Sequence, residues 1–155
     1  TVHTNSAAAT VTRMIEMGAK DYLVASTLSG VIAQRLVRRL CDDCKEEYYP
    51  SYEEASQICA TEEEIQKLMQ TPIYRHKGCN KCGFTGYVGR LGVYEIMAIN
   101  KEIKKLVASG AHDIEIEEAA VRNGMRTLNQ SCMAHIINGR TTIDEFVRVL
   151  GVVNE

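Results

Sequence analysis

Two Cys-x-x-Cys pairs, Cys41-Asp-Asp-Cys44 and Cys79-Asn-Lys-Cys82, stand 34 residues apart and determine how this chain is organised. A Cys-x-x-Cys turn brings two sulfur atoms close enough to bind one metal ion, and two such turns supply the four sulfurs that structural Zn²⁺ prefers. Gly78 and Gly83 flank the second pair and suit the tight backbone of such a turn. We therefore predict a structural zinc site formed by Cys41, Cys44, Cys79 and Cys82.

Two other uses of paired cysteines compete with zinc. A redox dithiol usually occurs once, beside a βαβ pattern, and no such pattern flanks either pair. Disulfide frameworks are typical of small secreted domains, whereas this chain is charged, long enough for a core, and has no signal-peptide pattern. Cys59 and Cys132 have no such partner and are predicted to be buried. His76 lies near Cys79, but four cysteines leave no vacancy for it as a ligand, so the site is closed and structural.

Composition indicates an ordinary globular protein. The 155 residues are 45% hydrophobic and 25% charged, with a formal net charge of −2. A nucleic-acid-binding protein would usually be basic, and the absence of Trp with only two Phe argues against stacking on bases. No apolar run approaches the roughly 20 residues of a membrane span. Reduced, metal-bound cysteines indicate the cytoplasm, and the start at Thr1 leads us to expect a piece of a longer protein.

The residues before the first cysteine pair have the pattern of an α/β edge. Residues 1–5 predict the end of a strand, and Ser6 is predicted to cap a helix that ends at Gly18. His3 at this strand end is either a hydrogen-bonded structural residue or a catalytic one. A second helix is predicted over 21–28 and a strand over 31–40.

After the first cysteine pair the sequence predicts mostly helices, so the predicted fold class is α+β. Ser51-Tyr52-Glu53-Glu54 and Thr61-Glu62-Glu63-Glu64 each have the capping-box pattern and predict a short helix. A strand is predicted over 88–97. From Asn100 onward, apolar stripes interrupted by glycines predict a small bundle of four helices, the last starting at Thr142 with Glu145 in a capping box.

Five stretches along the chain are distinctive: Thr1-Val2-His3-Thr4-Asn5; Gln34-Arg35-Leu36-Val37-Arg38; Gly78-Cys79-x-x-Cys82-x-x-Thr85-Gly86-Tyr87-x-Gly89-Arg90-x-Gly92-x-Tyr94-Glu95; Gly124-Met125-Arg126-Thr127-Leu128; and Gly139-x-Thr141-Thr142-x-x-Glu145. In this order, they resemble the motifs of the secretion ATPases that drive type II secretion and type IV pilus assembly. The first stretch is similar to the family's His box. The four cysteines favour the assembly and secretion branch over the retraction motors.

The resemblance implies a fragment with three consecutive parts. Residues 1–40 would be the end of a RecA-like ATPase core with the His box and last strand, 41–98 a zinc-binding lobe with a helical insert, and 99–155 a C-terminal helical lobe. His3 would approach or sense the γ-phosphate of ATP in the parent protein. The pattern GxxxxGK[ST] does not occur in these 155 residues, and it is expected upstream of Thr1 together with the Asp box and Walker B. We therefore expect this chain alone neither to hydrolyse ATP nor to bind it tightly, because the groups that bind ATP and Mg²⁺ are expected in the upstream part of the parent protein.

The resemblance also implies partners. These are neighbouring subunits of a homohexamer and an inner-membrane platform protein, which would make the parent cytoplasmic and peripheral to the inner membrane through its partners. No nucleic acid is expected to bind. The basic residues near the cysteines are predicted either to offset the charge of the site or to meet an acidic partner: Arg39, Lys45, Lys77, Lys81 and Arg90. A stand-alone zinc-ribbon-like binding module, for protein or nucleic acid, and a thiol oxidoreductase are the alternatives.

Overall fold

The computed structural model describes Thr4 and residues 6–153. In this part of the chain the fold is α+β, as predicted, with eight α-helices and two two-stranded sheets. The helices are α1 (Ala7–Glu16), α2 (Asp21–Thr27), α3 (Tyr52–Ser56), α4 (Glu62–Met69), α5 (Lys101–Ala108), α6 (Asp113–Arg122), α7 (Leu128–Ile137) and α8 (Ile143–Leu150). The strands are β1 (Gly30–Leu40), β2 (Glu46–Tyr48), β3 (Ile73–Arg75) and β4 (Tyr87–Ala98). His3 lies outside the described residues, so the strand end predicted over 1–5 stays a prediction.

The two sheets frame the cysteine pairs. β1 and β4, the strands predicted over 31–40 and 88–97, pair with each other. β2 and β3 are too short to show a sequence periodicity, and the sequence does not predict them. They pair antiparallel, with Glu46 opposite Arg75 and Tyr48 opposite Ile73. The small sheet therefore closes the segment between the two cysteine pairs.

Side-chain caps fix where several helices begin. The hydroxyl of Ser6 accepts a hydrogen bond from the N–H of Ala9 at 3.1 Å, which confirms the predicted start of α1. Both predicted capping boxes form, Ser51 with Glu54 at α3 and Thr61 with Glu64 at α4. One cap stabilises a helix by about 1 kcal/mol. That amount matters here because α3 and α4 have only five and eight residues.

Tertiary contacts divide the chain into two compact units. The first unit combines the described residues up to Gln34 with Tyr94–Leu128. Its helices are α1, α2, α5 and α6, with contacts between α2 and α5, α1 and α6, and α5 and α6. Its core consists of small and branched apolar side chains: Ala7, Ala8, Val11, Val24, Ile103, Val107, Ile116 and Ala119.

The second unit combines Arg35–Val93 with the described residues from Asn129 onward. It holds both cysteine pairs, the β2–β3 sheet, α3, α4, α8 and nearly all of α7. Its largest fully buried side chains come from strands and helices alike: Val37, Leu40, Ile73, Val93, Ile136, Glu145 and Phe146.

The C-terminal helices are confirmed as elements, and the bundle expected for them stays a prediction. α5 and α6 belong to the first unit, whereas α8 and most of α7 belong to the second. An apolar stripe shows that a helix packs against something, but it does not say which neighbour. The three-part division at residues 40 and 98 stays a prediction about the parent protein. None of the helices in the described part combines the length and apolar character needed to cross a bilayer.

Candidate metal centre

The pairing of β2 with β3 explains how two cysteine pairs that are distant in sequence meet. The first knuckle, residues 41–44, follows directly after β1, and the second knuckle, residues 79–82, contains a short 3-10 turn at Asn80–Cys82. β2 begins just after the first knuckle and β3 ends just before the second. Because β2 and β3 are antiparallel, their pairing brings these two ends together. The N–H of Cys41 also donates to the carbonyl of Gly86 at 2.9 Å, which ties the first knuckle to the start of β4.

The four sulfurs form a compact cluster. The Sγ atoms of Cys41 and Cys79 are 3.9 Å apart, and those of Cys44 and Cys82 are 3.8 Å apart, as are those of Cys79 and Cys82. All four Sγ atoms lie within 4.8 Å of one another. Tetrahedral Zn²⁺ with bonds of about 2.3 Å places its sulfurs about 3.8 Å apart. A disulfide needs about 2.05 Å. The cluster thus has the spacing of a metal site and not of two disulfides.

Backbone N–H groups point at two of the sulfurs. Cys82 Sγ accepts from the N–H groups of Cys79 and Gly86, both at 3.2 Å, and Cys44 Sγ accepts from Gly78 N–H at 3.3 Å. Burial by itself would raise the pKa of the Cys82 thiol, but these N–H donors outweigh it and hold the pKa at about 6. Burial dominates at Cys44 and raises the pKa of that thiol to about 11. A bound metal would hold both as thiolates.

Glycine is required next to the second knuckle, as predicted. Gly78 has φ +114°, and a Cβ atom there would lie 2.6 Å from the carbonyl oxygen of Phe84. Gly83, the other predicted position, has φ +61°. Both φ angles lie in the left-handed region that favours glycine, and at Gly78 the contact with Phe84 also leaves no room for a Cβ atom.

Four of the five basic residues near the cysteines are ion-paired with carboxylates of the same unit. Arg39 and Lys45 both contact Asp42, at 3.2 and 2.8 Å, and Lys81 contacts Asp43 at 2.8 Å. Lys77 pairs with Glu46. Arg90 instead lines a cavity of about 430 Å³ with Leu36, Arg38 and Arg148. The acidic residues inside the first knuckle therefore take up much of the positive charge around the cluster.

The other cysteines and His76 do not join the cluster. Cys59 and Cys132 are buried, as predicted, and burial raises the pKa of their thiols to about 11 and about 12. His76 Nδ1 lies 3.2 Å from the hydroxyl of Tyr87, and the two rings stack with centroids 5.1 Å apart. The imidazole therefore packs against Tyr87, beside the four sulfurs.

A buried carboxylate in the same unit is a feature that the sequence analysis missed. Glu145 is fully buried and accepts hydrogen bonds from the backbone N–H and guanidinium of Arg38 and from the guanidinium of Arg148. The predicted capping box is only half formed: Thr142 accepts from the N–H of Glu145, but the carboxylate is turned toward the two arginines. The i,i+3 spacing of Glu145 and Arg148 was a local signal of this ion pair in the sequence.

A second buried carboxylate, in the first unit, was also missed. Glu95 is 2% exposed and accepts from the N–H of Ala7 at 2.6 Å and from the N–H of Leu128 at 3.1 Å. Both donors begin helices, α1 and α7, where N–H groups lack partners within the helix. A carboxylate at a helix N-terminus is favourable because the helix dipole is positive there. Glu95 thus holds two helix starts together, far apart in sequence.

Together, these features define an α+β chain with a closed four-cysteine cluster of metal-site geometry. The chain belongs to the family described as "Type II/IV secretion system protein", which matches residues 1–148. Among curated relatives it is 39% identical over 145 residues to the type IV pilus assembly ATPase PilB of Thermus thermophilus. It is 38% identical over 149 residues to the type II secretion system protein HxcR of Pseudomonas aeruginosa and 35% identical over 149 residues to the type II secretion system ATPase E of Vibrio cholerae.

These alignments cover nearly all of this chain but a small part of each relative. They include 94%, 96% and 96% of the chain, and 16%, 27% and 28% of the respective relatives. The family predicted from the sequence motifs is thereby confirmed.

Proposed function

We propose that this chain is the C-terminal part of an ATP-driven motor that powers type IV pilus assembly or type II protein secretion. The observation that carries the proposal is the family match over residues 1–148 together with relatives that are named as pilus assembly and secretion ATPases. In this proposal the parent is a cytoplasmic homohexamer that works against an inner-membrane platform protein. ATP and Mg²⁺ bind the parent's phosphate-binding loop, upstream of this chain.

Within that motor we propose a structural Zn²⁺ held by Cys41, Cys44, Cys79 and Cys82. The sulfur spacing, the N–H donors at Cys44 and Cys82, and a ligand set that leaves no open position support this role. When bound, the ion would supply stability and no reaction chemistry. Structural zinc contributes on the order of 10 kcal/mol of apparent folding free energy in small domains. The metal would therefore hold the two ends of the helical insert together as one stiff element.

For His3 we propose a role at the γ-phosphate of ATP in the parent. This residue lies outside the described part of the chain, and its support is the resemblance of residues 1–5 to the family's His box. The stiff zinc lobe and the helices around it would pass nucleotide-driven movement to a neighbouring subunit or to the platform protein.

An ATPase assay tests the motor proposal. The parent protein should hydrolyse ATP, and His3→Ala should lower kcat by about a hundredfold, the effect of removing one group that stabilises the transition state. The 155-residue chain alone should show no turnover. Turnover by the isolated chain, or none by the parent, would contradict the proposal. In cells, loss of pili or loss of a secreted protein after gene deletion would then distinguish assembly from secretion.

A further inference from the structure

The first knuckle contacts a turn that lies about a hundred residues further along the chain. This turn, residues 138–142, joins α7 to α8 and is called the α7–α8 turn below. Lys45, the residue after Cys44, donates from Nζ to the carbonyl of Gly139 at 3.0 Å. The same ammonium contacts Asp42 of the knuckle at 2.8 Å, and the side chain is only 23% exposed. One lysine thus connects the cysteine turn with the α7–α8 turn.

The geometry of the first knuckle determines where Lys45 points. The N–H groups of Cys44 and Lys45 both donate to the carbonyl of Cys41, at 3.4 and 3.1 Å, so the lysine belongs to the knuckle's own hydrogen-bonded turn. Nζ also lies 5.0 Å from the centre of the Tyr74 ring. Any change that loosens Cys41 and Cys44 therefore moves the base of the Lys45 side chain.

The α7–α8 turn is held from the strand side as well. The N–H of Leu40, directly before Cys41, donates to the carbonyl of Arg140 at 2.9 Å, and the hydroxyl of Thr141 donates to the carbonyl of Arg38, also at 2.9 Å. The next residue, Thr142, caps α8. The turn therefore sits between the strand that delivers Cys41 and the helix that carries the buried Glu145.

We propose that Lys45 couples the metal state of the cysteine cluster to the α7–α8 turn, so that zinc binding orders the start of α8. The inference rests on the zinc site of the proposed function and deepens it. With zinc bound, the knuckle is fixed and Lys45 holds Gly139. Without zinc, the four cysteines no longer bind one metal ion, and the first knuckle loses that constraint. The contact of Lys45 with Gly139 then weakens. Lys45 is a positioning residue and does not bind the metal.

Hydrogen exchange of the whole chain tests this coupling. The reporter is the N–H of Arg140, which donates to the carbonyl of His135 at 2.9 Å. Lys45→Met keeps the aliphatic stem of the side chain but removes the ammonium group. In the zinc-loaded variant, exchange at Arg140 should be faster than in the zinc-loaded wild type by about tenfold or more, the factor that corresponds to losing a hydrogen bond to a charged group. The N–H of Ile65, in α4, should be unchanged and shows that the variant is folded. Lys77→Met is the matched control, because it breaks an ion pair of the same lobe that does not reach the turn.

Zinc removal completes the test as a cycle. In the wild-type chain, a zinc chelator should increase the exchange rate of the Arg140 N–H. In Lys45→Met the chelator should increase that rate less, because the substitution has already removed the contact through which zinc acts. The two increases should differ by the factor that Lys45→Met causes in the zinc-loaded chain. Equal acceleration in both proteins, or unchanged exchange in zinc-loaded Lys45→Met, overturns the coupling and leaves the zinc site standing. Metal analysis precedes these measurements, and a chain that binds no zinc overturns both the coupling and the zinc site.

Discussion

The guanidinium of Arg38 lies 2.7 Å from the carboxylate of Glu145, which is completely buried although the arginine side chain is 46% exposed. Arg148 contacts the second oxygen of the same carboxylate, with 2.6 Å between its Nη2 and Glu145 Oε2. Bidentate arginine contacts are among the stronger charge-assisted hydrogen bonds. These ion pairs connect α8 to the end of β1, just before the first cysteine. They therefore stabilise the strand that leads to Cys41.

Glu145→Gln should destabilise the chain strongly. The amide keeps the volume of the side chain, but its NH₂ group meets arginine donors and the two guanidinium groups lose their counter-charge. Because both guanidinium groups are about half exposed, no buried charge is left behind, and we expect a loss of roughly 1.5 to 3 kcal/mol, the contribution of hydrogen bonds to a charged group. Urea unfolding measures the change. Asp144→Asn is the control, because that neighbouring side chain is 74% exposed, and its effect should stay below about 1 kcal/mol. Equal effects of the two substitutions would contradict this account of Glu145.

The same carboxylate predicts a pH dependence. Burial alone would raise the pKa of Glu145, but hydrogen bonds from Arg148 and Arg38 outweigh burial and lower the pKa from 4.5 to about 2. A lowered folded-state pKa stabilises the fold above the unfolded pKa, and this contribution is lost as the pH falls through the folded value. The difference in unfolding free energy between wild type and Glu145→Gln should therefore be constant above pH 5 and shrink between about pH 4.5 and 2. A difference that grows with acidity would contradict the assignment.

Glu95→Gln should weaken the first unit. The amide oxygen can still accept one N–H, but the negative charge that favours two helix starts is lost, and an NH₂ group then faces a backbone donor. We expect a loss of about 1 to 3 kcal/mol, the cost of leaving a buried donor without its partner. The exposed Glu118 provides the control substitution, Glu118→Gln. Amide exchange at Ala7 and Leu128 should accelerate in Glu95→Gln alone, and slow exchange at both sites would rule out the capping role.

Gly139 is required where the α7–α8 turn meets Tyr74. It has φ +65°, and a Cβ atom there would lie 2.7 Å from the Tyr74 ring. Gly151 offers a matched comparison, since its φ is +86° and nothing lies within 4 Å of a Cβ atom at that position. Gly139→Ala should thus cost about 1 to 3 kcal/mol more than Gly151→Ala, because both pay for the backbone conformation but only the first creates an overlap. Equal thermal stability of the two variants would contradict the close contact.

Local patterns in the sequence predict much of this fold. Ser6, Ser51 and Thr61 each begin the predicted helix, because a cap depends on residues only three positions apart. The four cysteines also meet as predicted, since their spacing carries the geometry of the site. Glu145 shows the limit: its sequence neighbours predict a capping box, while the partner that turns it inward, Arg38, is 107 residues away. Such pairings depend on how the elements pack, and no local period encodes them.

X-ray absorption at the zinc edge tests the proposed zinc site most directly, together with metal analysis of protein purified under reducing conditions. We predict one zinc per chain with four sulfur ligands at about 2.3 Å. Cys82→Ser should remove one sulfur or the metal, whereas Cys59→Ser should keep the full site, because Cys59 lies outside the cluster. A chain without zinc, or zinc with fewer than four sulfur ligands in the wild-type protein, would contradict the account.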